Sequence, residues 1–188
     1  GLLPWILFGT SLTSNANAII GNMSLVRQIY FHIEIILIAN ILAKIVDFFL
    51  ASLIFIIFMF IYKIPISWNV LWFFPIFVIQ LIFTYGISLF LSAFNVFYRD
   101  VQHLFDLILL LWMYLTPIHY PVEMVPEKVR FIYSYNPMAV LVNAYRQAIF
   151  NTTSPKIPSL LIALGLSLVI VFFGYKLFKK LEGLFADV

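Results

Sequence analysis

From Ile33 to Tyr62 the chain runs thirty predominantly apolar residues without a Pro or Gly. As helix, this stretch is roughly 45 Å long, more than the ~30 Å hydrocarbon core of a bilayer, so it reads as a tilted span or one with a protruding end. Lys63-Ile64-Pro65 stops it. A second run, from about Val70 to Phe97, has Trp68 and Trp72 at one mouth and Tyr98 at the other, where interfacial anchors sit. After the turn Tyr98-Arg99-Asp100, a third run from Val101 to Leu115 closes at Thr116-Pro117. The last run extends from about Pro158 to Tyr175, and Lys176, Lys179 and Lys180 follow. Residues 2–20 are apolar but carry Thr10, Ser14 and Asn17 at helical spacing, so one face suits protein or water and the segment reads as a partial span.

The pattern predicts an all-α membrane protein, a single transmembrane domain over residues 1–188 with four full spans and one partial one. Boundaries fall near 33–62, 70–97, 101–117 and 158–178, with the partial span at 1–20 and a tail at 176–188. Composition agrees. Hydrophobic residues make up 64% and charged residues 10%, with mean hydropathy +1.06, whereas about a quarter of a soluble domain is charged. The absence of Cys excludes disulfides and thiolate metal sites. A scattered net charge of +3 suits membrane lipid headgroups and gives no case for nucleic acid. No Gly-x-x-x-x-Gly-Lys-Ser/Thr loop occurs, so ATP is not bound here in the P-loop manner, and neither Gly-x-Ser-x-Gly nor His-Glu-x-x-His is present. Gly1 rather than Met, with no basic leader, reads as a fragment without a signal peptide.

Residues 116–150 break the hydrocarbon pattern. Thr116-Pro117-Ile118-His119-Tyr120-Pro121 leads into two amphipathic segments, at 122–134 and 136–150, that hold Glu123, Glu127, Lys128, Arg130 and Arg146. In the second, Asn136 suits an N-cap and Pro137 the first helical position. Met138, Leu141, Val142, Tyr145 and Ile149 then form one stripe, and Asn143, Arg146 and Gln147 the other. Two structures fit: an interfacial hairpin that covers the bundle, and a re-entrant lid over a pore, whose backbone must be satisfied at depth.

Further polar residues interrupt the spans. Lys44 and Asp47 lie three apart on the Asn40 face of the long span, where charge is costly and pairing is expected ahead of transport chemistry. Arg99, His103 and Asp106 share one helix face and read as organisers of the turn, since no second ligand stands at metal spacing. The 21 Phe, 10 Tyr and 4 Trp are mostly packing and lipid-facing residues, with Trp5, Phe8, Phe105 and Trp112 as candidates to line a path for a sugar. Loop Lys and Arg counts tie between the two sides, and only the lysine-dense tail favours its side as cytoplasmic.

Asn95-Val96-Phe97-Tyr98-Arg99-Asp100, Thr116-Pro117-Ile118, Tyr135-Asn136-Pro137-Met138 and Phe178-Lys179-Lys180-Leu181-Glu182, in that order and spacing, resemble the ABC-2 type permeases of polysaccharide exporters. The likeness is to the O-antigen, teichoic acid and capsule export permeases, the Wzm-like family, and it covers nearly the whole chain. Leu25-Val26-Arg27-Gln28-Ile29-Tyr30-Phe31 is similar to that family's cytoplasmic stretch before the third span.

The resemblance implies a six-span permease bundle whose N-terminal interface helix and first span lie before Gly1. It implies a coupling region at 15–31, with Leu25, Arg27, Gln28 and Tyr30 docking on the ATPase, and a cytoplasmic turn at Tyr98, Arg99 and Asp100. It also implies external gate helices, with Pro117, Pro121, Tyr135, Asn136, Pro137 and Arg146 at the gate. As partners it implies a second copy in a homodimer, an ATP-binding subunit that holds ATP and Mg²⁺, and a lipid-linked polysaccharide, in a bacterial or archaeal cytoplasmic membrane. Export of a drug or lipid is the nearest alternative. A membrane-embedded glycan-modifying enzyme using His119, Glu123 and Glu127, or a scaffold subunit without a pore, would be alternatives of another class.

Overall fold

The computed structural model describes residues 1–24, 32–64, 68–98, 100–118, 135–150 and 154–185. Its helices are α1 (Leu2–Ala16), α2 (Ala18–Gly21), α3 (Glu34–Ile61), α4 (Phe73–Phe97) led by a 3₁₀ turn at Trp68–Trp72, α5 (Val101–Leu115), α6 (Pro137–Phe150) and α7 (Ile157–Glu182).

Three of these are long and apolar enough to cross a bilayer: α3, α4 with its 3₁₀ lead, and α7. The run expected from Val101 to Leu115 is α5, whose fifteen residues rise about 22 Å, less than the ~30 Å hydrocarbon core. Thr116 leaves the helix with φ −105° and ψ 129°, the extended conformation imposed on a residue before Pro. At the end of α3, Lys63 adopts a positive φ of 52° and Ile64 N–H donates to Met59 C=O at 3.0 Å, a closure that usually employs Gly at the left-handed position. Most of α3 faces outward: Leu42, Leu50, Ile54 and Phe60 are exposed, as lipid-facing residues should be.

The backbones of α4 and α7 approach most closely at two glycines. A Cβ on Gly86 would sit 2.9 Å from the Val171 backbone nitrogen, and one on Gly174 would sit 2.9 Å from the Gly86 carbonyl oxygen. Small residues permit this approach, and in lipid, van der Waals packing of this kind is a main source of helix association. On its other side α4 faces α1 through polar side chains at helical spacing. Gln80 Nε2 donates to Pro4 C=O at 2.7 Å, and Ser88 Oγ accepts from Asn15 Nδ2 at 2.9 Å. Asn95 Nδ2 donates to Ala16 C=O at 2.9 Å and to Asn17 Oδ1 at 3.2 Å. The Asn95 Oδ1 in turn accepts from the Gln102 backbone N–H at 3.2 Å. One side chain thus joins the end of α1, α4 and the first turn of α5.

Two apolar clusters mark the two ends of the bundle. Ile19, Leu37, Val96, Phe178 and Phe185 pack together, which places the start of α3, the end of α4 and the end of α7 at one end. Ile118, Met138, Val142 and Tyr145 belong to the larger cluster around α1 and α4, and the chain passes Asn69 and Ser154, 3.5 Å apart, at the other end.

Substituting Gly86 by Ala is expected to lower the melting temperature of the detergent-purified protein, because the new methyl meets backbone that cannot move without displacing α7. Gly165→Ala on the same helix, where a Cβ meets nothing within 4 Å, is the control expected to leave it unchanged.

Candidate functional site

The corner after α5 and the start of α6 are built around Asn136. Its Oδ1 accepts from the Met138 and Ala139 backbone N–H groups at 3.1 and 3.4 Å, while its carbonyl oxygen accepts from Val140 N–H at 3.1 Å. Pro137, at the first helical position, has no N–H to satisfy. All four positions of the first turn are therefore accounted for without water, the condition for a helix terminus below a membrane surface. The same Oδ1 accepts from Trp112 Nε1 at 3.1 Å, and Asn136 Nδ2 reaches Thr116 Oγ1 at 3.4 Å. Thr116 Oγ1 donates to Trp112 C=O at 2.8 Å. Arg146, nearly three turns further along α6, donates from Nη2 to Ile118 C=O, so the strap at Thr116–Ile118 is held at two heights on α6.

These contacts fix the attitude of α6. Trp112, bonded to Asn136, packs edge-on against Phe83 with ring centroids 6.0 Å apart, and Tyr145 packs against Phe73 at 5.5 Å. Phe73 and Phe83 are about 15 Å apart along α4, and Asn136 and Tyr145 about 14 Å apart along α6. The two intervals match, and they run in opposite senses. The helix therefore stands antiparallel to the first turns of α4, with its N-terminus carried inward; it does not lie flat across the end of the bundle. The first amphipathic segment, at 122–134, with Pro121, lies outside the described residues.

The sequence candidates are distributed as follows. Pro117 is buried, Tyr135 is exposed at 68%, and Arg146 is half-buried. Leu25, Arg27, Gln28, Tyr30 and Arg99 lie outside the described residues; Tyr98 and Asp100 flank α5 on the end opposite Asn136. Lys44 Nζ donates to Asp47 Oδ2 at 3.1 Å, so the charges in α3 meet each other one turn apart. Asp106 is exposed and its Oδ1 accepts from Thr13 Oγ1 at 3.4 Å, tying α5 to α1.

Phe8 is fully buried, stacked on Phe83 at 5.5 Å and capped edge-on by Trp112 at 5.4 Å, and Trp5 leans on Phe8 with only 7% of its surface exposed. Both rings pack α1 against α4 and α5. Phe105 and Trp112 are half-buried, and Trp112 serves the Asn136 corner. The polar seam of Gln80, Ser88 and Asn95 was not singled out from the sequence, although its eight-residue and seven-residue intervals on one face of an apolar run could have disclosed it.

The sequence model of the ABC-2 type transporter family matches residues 1–150. Two O-antigen export system permease proteins RfbA from Klebsiella pneumoniae are 32% and 34% identical over 190 residues, which covers the whole of this chain and 73% of each relative. A protein of the same description from Myxococcus xanthus is 28% identical over 189 residues. With three helices among the described residues long and apolar enough to span, a shorter helix packed against α4 before the last of them and this match over most of its length, the chain is a multi-pass membrane permease belonging to the ABC-2 type transporter family.

Proposed function

We propose that this protein is the permease subunit of an exporter that moves a lipid-linked polysaccharide outward across the cytoplasmic membrane. It works as a homodimer with a separate ATP-binding subunit, which supplies the ATP and Mg²⁺ site that this chain lacks. The observation that supports the reading is α6, capped at its N-terminus by Asn136 and held antiparallel to α4 through Trp112, Thr116 and Ile118, on the end of the bundle opposite the lysine tail. The cargo class is supported by the O-antigen export permeases to which the chain is similar along its full length.

Residues take the following roles. Leu25, Arg27, Gln28 and Tyr30 dock on the ATP-binding subunit, and Tyr98, Arg99 and Asp100 form the turn on that side. Pro117, Asn136, Pro137 and Arg146, with Pro121 and Tyr135, form the external gate. Two equal subunits close a passage around a two-fold axis. Closure of the ATP-binding subunits pushes the docking segments, and the spans tilt until the gate opens.

The full-length protein, purified from its own membranes, is expected to carry an ATP-binding subunit with it, and Arg27→Glu is expected to weaken that association and the stimulation of ATP hydrolysis. Purification without any P-loop subunit would end the exporter reading; loss of drug or lipid efflux with unchanged surface glycan in a deletion strain would redirect the cargo. At the gate, Asn136→Ala removes the cap at a cost of about 1 kcal/mol. Surface glycan is expected to fall more than the amount of inserted protein, and an equal fall in both would reduce Asn136 to a fold-stabilising residue.

A further inference from the structure

Between described residues, one ion pair joins distant parts of the chain. Lys179 Nζ, near the end of α7, lies 3.0 Å from both Glu34 Oε1 and Oε2, in the first turn of α3, and 2.7 Å from Glu182 Oε2. The ammonium also stands 5.7 Å from the Tyr175 ring centroid. The three charged side chains are 29%, 13% and 21% exposed, in the order Lys179, Glu34, Glu182, and Leu37 on α3 and Phe178 on α7 belong to one buried apolar cluster. Partial burial makes such a contact stronger than a surface pair, whose net worth is usually small.

The position of this cluster gives it a direction. Lys179 sits on α7, which is locked to α4 at Gly86 and Gly174. Glu34 opens the helix that the chain enters directly from residues 25–31. Apolar contacts between α3 and its neighbours exchange protein for lipid at little cost, so they do not fix an angle well. A lysine held by both oxygens of one carboxylate does fix it.

We propose that Lys179 is a positioning residue that clamps the first turn of α3 to the α4–α7 pair, so that displacement of the segment before α3 is passed to the whole bundle. The clamp rests on the docking role proposed for residues 25–31, and it names the side chains through which that docking reaches the spans.

The test uses the full-length permease with its copurifying ATP-binding subunit, in Glu34→Lys, Lys179→Glu and the double exchange, which preserves the net charge of the cluster. Two quantities are measured: surface glycan on cells that depend on the protein, by hydrazide labelling after periodate, and ATP hydrolysis by the purified complex. Each single variant is expected to lower glycan exported per ATP hydrolysed by about tenfold, with the double exchange restoring it and ATP-subunit binding unchanged throughout. Lys179→Met, which keeps the apolar stem, covers the case in which a charge reversal does not insert, and it is expected to show the same loss. An unchanged ratio in Lys179→Met, or a double exchange that inserts yet is no better than the single variants, overturns the clamp. A wild-type complex without ATP-dependent export would overturn the transport reading itself, and the clamp with it.

Discussion

The close approach of α4 and α7 is the contact on which the other elements are hung. Gly86 and Gly174 let two long apolar helices meet backbone to backbone, and each remaining part of the structure attaches to that pair by its own chemistry. The first helix α1 binds α4 through a polar seam, and the first turn of α5 is held by the Asn95 side chain of α4. The helix α6 stands on the Phe73–Phe83 face, and α3 is tied to α7 at Glu34. In a solvent of hydrocarbon this division is natural, since burial of apolar surface does not by itself bring spans together, whereas close backbone packing and internal hydrogen bonds do.

Satisfaction of polar groups follows the same constraint. The first turn of α6 uses one Asn side chain and one Pro to leave no N–H without a partner, and Thr116 returns its hydroxyl to the preceding turn. Lys44 and Asp47 neutralise each other locally on α3, which requires nothing of the neighbouring helices. The seam between α1 and α4 is different: Ser11 Oγ, Asn15 Oδ1 and Gln80 Oε1 are buried there and find no hydrogen-bond partner among the described residues. Unpaired buried polar atoms raise the energy of the interface that contains them.

Legibility in the sequence tracked the range of the interaction. The three spanning helices follow from local hydropathy, the start of α6 follows from Asn136-Pro137, and the Lys44–Asp47 contact follows from spacing within one helix. The bounds of α5 follow from the apolar run that Thr116-Pro117 ends, although its fifteen residues are fewer than the ~20 a full span takes. The burial of Trp5 and Phe8 could not be read, because in a membrane protein the residues facing lipid and those facing other helices have the same composition. Gly86 and Gly174 gave no signal either, being 88 positions apart and meaningful only as a pair. The attitude of α6 depended on Trp112 and Tyr145 touching two rings of one other helix, a relation that no periodicity encodes.

An upright α6 anchored at its inner end has a mechanical consequence. Fourteen residues of helix form a rod about 21 Å long whose foot is held by Asn136, Trp112 and Thr116, while its far end, at Phe150, meets the Phe55 ring of α3 at 6.3 Å. A tilt of about 15° around that foot would carry Phe150 through roughly 5 Å, the rise of one helical turn. The leverage is geometric: a small rotation where the hydrogen bonds are concentrated becomes a displacement of one helical turn's rise at Phe150.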